Sequence, residues 1–245
     1  MNRLAEEARL LPLLMARLPA PSWLLLLFAG LIAGWWIYVP IHELLHVAGC
    51  LLTGGEVSEL EIAVAHGGPL FERIFPFVVS GSDYAGRLTG FETHGSDWIY
   101  QATVLTPYLI TVFPGMWWWR RLLDPSLAPH PARVFSVGAL LPVVAAPLIS
   151  LTGDYYESAS IIVSRFFAGA ADRSLEAWRS DDVFRLVSEW PGALAAVDIA
   201  AIGAGMILSL ALALLTLWLG AWLAERIDGR ASRTRPKPES NIHGE

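Results

Sequence analysis

Four long uncharged stretches divide the chain. The first runs from Leu18 to Ile41, 24 positions, and leads straight into His42-Glu43-Leu44-Leu45-His46. The others are Trp98 to Trp119 (22 residues), Val134 to Gly153 (20) and Ile199 to Ala224 (26). About 20 apolar residues suffice for a helix to cross a hydrocarbon core of about 30 Å. The pattern therefore predicts an α-helical polytopic membrane protein with about four transmembrane helices, over 22–53, 98–119, 134–163 and 191–225. Residues 1–21 carry Arg3, Arg9 and Arg17 among leucines and break at Pro19 and Pro21, as a short interfacial segment does. A basic start followed by an apolar run also describes a signal peptide. This run is too long, and cleavage after it would destroy the HELLH segment, so the start reads as an uncleaved anchor.

Between the first two spans, residues 56–97 are too polar to cross a bilayer. Glu56 to Val64 alternates polar and apolar positions, the signature of a half-buried strand. Phe77-Val78-Val79 and Arg87 to Phe91 flank Ser80-Gly81-Ser82-Asp83, which predicts a membrane-associated β-hairpin. Residues 164–190 form an extramembrane amphipathic loop, and 226–245 a disordered cytoplasmic tail. The core of the chain is thus 22–163, with the fourth span as an addition.

Composition agrees with the spans. Hydrophobic residues make up 54% and charged residues 16%, with a mean hydropathy of +0.48. The 11 tryptophans suit the two membrane interfaces. A net charge of −6 and the lack of a phosphate-cradling glycine loop argue against nucleic acid as a partner. One cysteine, Cys50, excludes an internal disulfide and an all-cysteine zinc site. Eleven of the 17 basic residues fall in the N-terminal segment, the 120–133 connection and the tail, which predicts that both termini are cytoplasmic.

The chemistry lies in His42-Glu43-Leu44-Leu45-His46. Residues four apart share a helix face, so His42 and His46 present two imidazole nitrogens to one metal. Zn2+ is the natural occupant, with Glu43 as the catalytic general base toward water. Ionisable side chains at membrane depth are costly and mark function. His42 lies 25 residues after Arg17, and Asp154 lies 21 after Arg133. At about 1.5 Å per residue both reach roughly the same depth, about 37 and 31 Å from the inner boundary. Asp154 is therefore the leading third ligand, with Asp198, Glu157 and the loop residues His66 and His94 as rivals. Tyr155, Tyr156 and Glu157 are candidates for contacting substrate or supporting the ligands. Pro40, just before the motif, is a candidate kink that opens water access. The strand near Glu56 to Val64 is a candidate for binding unwound substrate by β-addition.

The segment from His42 to Val57, H-E-L-L-H-V-A-G-C-L-L-T-G-G-E-V, resembles the active-site helix of the site-2 protease class of intramembrane zinc metalloproteases. In that class a glycine turn and a β element follow the motif, and a later helix supplies an aspartate; Gly153-Asp154 stands where that aspartate is expected. The aspartate motif here is T-G-D-Y-Y-E rather than N-P-D-G, and Thr106-Pro107-Tyr108-Leu109-Ile110 keeps only the proline of the G-P-x-x-N element. The resemblance implies a metalloprotease that cuts a membrane protein substrate within or beside the lipid bilayer, in a bacterial inner membrane. Two other readings of the same residues are a membrane zinc hydrolase acting on a non-peptide substrate and a catalytically inactive membrane scaffold.

Overall fold

The computed structural model describes residues 2–171 and 173–233. The chain is mostly helical. In order it forms α1 (Asn2–Met15), α2 (Trp23–Leu52), β1 (Glu56–Ile62), α3 (Gly68–Glu72), β2 (Val78–Ser80), β3 (Gly86–Glu92), α4 (Asp97–Leu105), α5 (Met116–Leu122), α6 (Pro131–Ile149), α7 (Asp154–Ala171), α8 (Val183–Ser188) and α9 (Ala196–Arg233). Among the described residues, three helical segments are long and apolar enough, by length and composition, to cross a membrane: Trp23–Leu52, Pro131–Thr152 and Ala196–Gly229. They turn large apolar side chains such as Leu25, Phe28, Ile32 and Ile207 outward, as a lipid-facing surface requires.

The stretch expected as the second span, 98–119, is not one helix. It is built from α4, a 3₁₀ turn at Thr106–Tyr108, a π-helical segment at Thr111–Gly115 and α5. Proline explains the breaks. Phe113, immediately before Pro114, has φ −155° and ψ 129°, the extended geometry that a following proline ring imposes. By contrast α2 runs through Pro40 as a single helix. The stretch expected as the third span, 134–163, comprises α6, a 3₁₀ turn at Ser150–Thr152 and the first half of α7. Helix α9 continues to Arg233, past the expected start of the tail at 226; residues 234–245 lie outside the described residues.

The β region is a three-stranded sheet in the order β2-β1-β3. The expected hairpin between 77–79 and 87–91 does not form, because β1 lies between the two strands. It pairs in parallel with β2 (Leu60 opposite Val78) and antiparallel with β3 (Leu60 opposite Leu88). Parallel pairing needs a crossover connection of about a dozen residues or more, and the turn at Val64–His66 with α3 supplies it. The central position lets β1 bury Leu60 and Ile62 together with Val78 and with Val47 of α2. The sheet is thereby docked on the half of α2 that carries His46.

Helices α2 and α6 pack closely through glycines. A Cβ at Gly30 would sit 2.0 Å from the Phe135 carbonyl oxygen, one at Gly34 2.1 Å from that of Ala139, and one at Gly138 1.9 Å from that of Leu27. Only hydrogen at these positions lets two backbones come so near. Helix α7 packs on α9, where the Tyr155 hydroxyl donates to Thr216 Oγ1 at 2.8 Å. Helix α1 is tied to the bundle by Arg3–Glu225 and Arg120–Glu7 ion pairs.

Candidate metal centre

One face of α2 carries Tyr38, His42 and His46, each four residues from the next. Both histidines are buried, and each ring is held at Nδ1. His46 Nδ1 lies 2.9 Å from the carbonyl oxygen of Thr103 in α4, and His42 Nδ1 lies 2.7 Å from the Tyr38 hydroxyl. A carbonyl oxygen only accepts, so the bond to Thr103 fixes the proton of His46 on Nδ1 and leaves Nε2 with a lone pair in the neutral ring.

Asp154 begins α7, directly after Gly153, and its Oδ2 meets the same point. It lies 3.1 Å from His42 Nε2 and 3.5 Å from His46 Nε2, while the two Nε2 atoms are 3.1 Å apart. A tetrahedral zinc with ligands at about 2.0–2.1 Å has ligand–ligand edges of about 3.3 Å. The triangle matches one face of that tetrahedron. Its chemistry agrees, for lone pairs and a carboxylate oxygen converge where a cation would satisfy them together. His42, His46 and Asp154 thus form a group able to hold a metal ion. Comparisons with family models, with curated proteins and with solved structures find no match for the chain.

Glu43 points beside the triad. A Cβ on Gly86 of β3 would lie 2.5 Å from Glu43 Cγ, so the glycine makes the space that the carboxylate arm occupies. Glu43 lines two cavities, as does Asp154. The larger, about 950 Å³, also reaches His46, Glu157, β3 and the 173–191 connection. The smaller, about 150 Å³, lies on the other side, against His42, Tyr38 and the end of α6.

Other candidates lie elsewhere. Asp198 accepts from Arg173 Nη2 (3.0 Å), Trp178 Nε1 (3.1 Å) and the Ala195 amide (3.0 Å), so it caps α9 and anchors the connection before it. Tyr155 and Tyr156 are fully buried, and their hydroxyls donate away from the triad, to Thr216 and to the Trp178 carbonyl. Glu157 accepts from the Tyr100 hydroxyl at 2.6 Å and lines the large cavity, outside the ligand triangle. His94 is exposed and pairs with Glu56 at 3.8 Å. His66 stands in the turn after β1, and neither lines the cavities at the triad. His130 caps α6 by accepting from the Ala132 amide.

Two residues that the sequence reading passed over complete the site. The Tyr108 hydroxyl donates to Asp154 Oδ2 at 2.5 Å, and its ring lies tilted against Tyr155 and edge-on to His42. Tyr38 orients His42, and its spacing four residues before His42 was a usable signal. Tyr108 had none, because its approach depends on the broken helix between α4 and α5. Above the site, Asp97 accepts from Arg165 (2.6 Å) and Arg179 (3.0 Å), tying α4 to α7 and to the connection that follows it. Burial alone would raise the Asp97 carboxyl, but the two guanidinium partners outweigh it and hold the group below its ordinary value.

Proposed function

We propose that the chain is a zinc-dependent endopeptidase of the site-2 protease kind, acting on membrane-spanning or membrane-associated proteins. The observation that carries this reading is the convergence of His42 Nε2, His46 Nε2 and Asp154 Oδ2 to within 3.5 Å of one another, with Glu43 alongside and a large cavity open to it. His42, His46 and Asp154 would hold the metal, Tyr38 and the Thr103 carbonyl fix the two rings, and Tyr108 fixes the carboxylate. Bound zinc supplies Lewis acidity toward water and toward a peptide carbonyl. Glu43 takes the proton from the attacking water and returns it to the leaving nitrogen. Strand β1 is central, so its edges are occupied; β3 is the outer strand beside the cavity, and an unwound substrate segment adds there instead. The charge distribution supports cytoplasmic termini, and a bacterial inner membrane is the setting we assign.

Elemental analysis of the purified chain tests this. About one zinc per chain is expected in the wild type and in Glu43→Gln, and none in His46→Ala or Asp154→Ala. Hydrolysis of membrane-protein substrates is expected to fall about 100- to 10,000-fold in Glu43→Gln, the usual worth of a positioned general base. A wild type that takes up no zinc when resupplied would refute the proposal.

A further inference from the structure

The two cavities that meet at Glu43 and Asp154 differ in kind, and on the reading above they describe the substrate. The larger has a mixed apolar and polar lining, and beyond the triad six charged side chains stand in its wall: Arg87, Arg173, Arg179, Asp181, Arg185 and Glu189. None of these lies in a spanning helix. They are joined in ion pairs, Arg87 with Asp181 at 2.8 Å and Arg185 with Glu189 at 3.2 Å among them. An apolar segment pressed against this wall would strip water from charged groups without replacing their hydration. The cavity offers about 950 Å³, enough for a short extended stretch.

The smaller cavity holds no charged side chain beyond Glu43, Asp154 and the His42 ring, and it shares Ile149 with the larger. Its walls include Trp35, Val39, Ala146 and Ile149, and its volume of about 150 Å³ is the size of an apolar hole that accepts one benzene ring. It opens onto His42, Glu43 and Asp154, so whatever fills it lies next to the bond being cut.

We infer that the substrate is a polar, extended, water-exposed segment adjoining a membrane span, with one large apolar side chain beside the scissile bond seated among Trp35, Val39, Ala146 and Ile149.

The test uses single-span reporters in proteoliposomes, carrying a randomised eight-residue window either at the middle of an apolar span or immediately outside it, on each side of the membrane in turn. Zinc-loaded wild type is compared with Glu43→Gln, and new N-termini are identified by mass spectrometry. Glu43-dependent cuts are expected at least tenfold more often in an outside window than in the middle one, with Leu, Met or Phe enriched about tenfold over Ala at one position flanking the cut. Ala146→Leu, which fills the small cavity, is expected to bring that enrichment below about twofold while zinc content stays at one per chain. Glu43-dependent cuts concentrated at mid-span would overturn the inference and leave the endopeptidase reading standing. An enrichment unmoved by Ala146→Leu would remove the assigned pocket. An absence of any Glu43-dependent cut would sink both.

Discussion

Tyr108→Phe isolates one hydrogen bond of the proposed centre. The hydroxyl donates at 2.5 Å to Asp154 Oδ2, the oxygen that also faces both histidines. Phenylalanine keeps the ring and its contacts with Tyr155 and His42, so packing is largely preserved. A hydrogen bond to an ionised group contributes about 1.5–3 kcal/mol, and removing the partner that orients a metal ligand lowers metal affinity about 10- to 100-fold. These agree, since a 100-fold change is about 2.8 kcal/mol. Titration of the purified protein in detergent against a competing zinc chelator measures the affinity directly. Tyr155→Phe is the matched control: its hydroxyl bonds Thr216, away from the triad, and its zinc affinity is expected to stay within about twofold of wild type. An unchanged affinity in Tyr108→Phe, or an equal loss in both variants, would refute the argument that this hydroxyl fixes the ligand.

Three further outcomes are expected. Gly86→Ala places a methyl 2.5 Å from Glu43 Cγ, too close for the carboxylate arm to stay where it is; displacing the proposed general base by about 1 Å costs about 100-fold in turnover, with zinc content unchanged. Asp198→Ala leaves the buried Trp178 N–H unpaired and removes the cap of α9, which lowers stability by about 1–3 kcal/mol in thermal melts yet spares zinc binding; loss of zinc in a folded variant would contradict its position away from the site. Asp97 has a carboxyl held below its ordinary value, so its contribution to stability is present above the unfolded value of about 3.9 and is lost as pH falls through the lower folded value. Melting curves of wild type and Asp97→Asn taken from pH 7 downward are expected to converge in that acid range, and curves that stay parallel would contradict the assignment.

The triad of His42, His46 and Asp154 was legible in the sequence because it obeys one-dimensional rules. His42 and His46 follow helical spacing, and Asp154 follows from counting residues along two runs of similar length. Asp198 satisfied the same counting, and only its contacts with Arg173 and Trp178 distinguish a cap from a ligand. The order of the strands was hidden because alternation marks a strand but says nothing of its neighbours; burial of Leu60 and Ile62 puts β1 in the middle. The second apolar run looked like a span because hydropathy does not register that Pro107 and Pro114 divide it. That division brings Tyr108 to Asp154, so the same feature concealed both the helix breaks and a residue of the site.

The glycine contact between α2 and α6 sets when the triad His42, His46 and Asp154 is complete. His42 and His46 belong to α2, whereas Asp154 follows α6 by only a few residues, and the backbones are locked together at Gly30, Gly34 and Gly138. His42 stands eight residues beyond Gly34, about 12 Å along the helix, so a tilt at the contact is magnified at the ligands. Neither helix alone supplies three donors. On the proposed function, zinc capture would therefore belong to the end of biogenesis, after both helices have closed on each other, and a chain interrupted before α7 is synthesised would carry no complete triad.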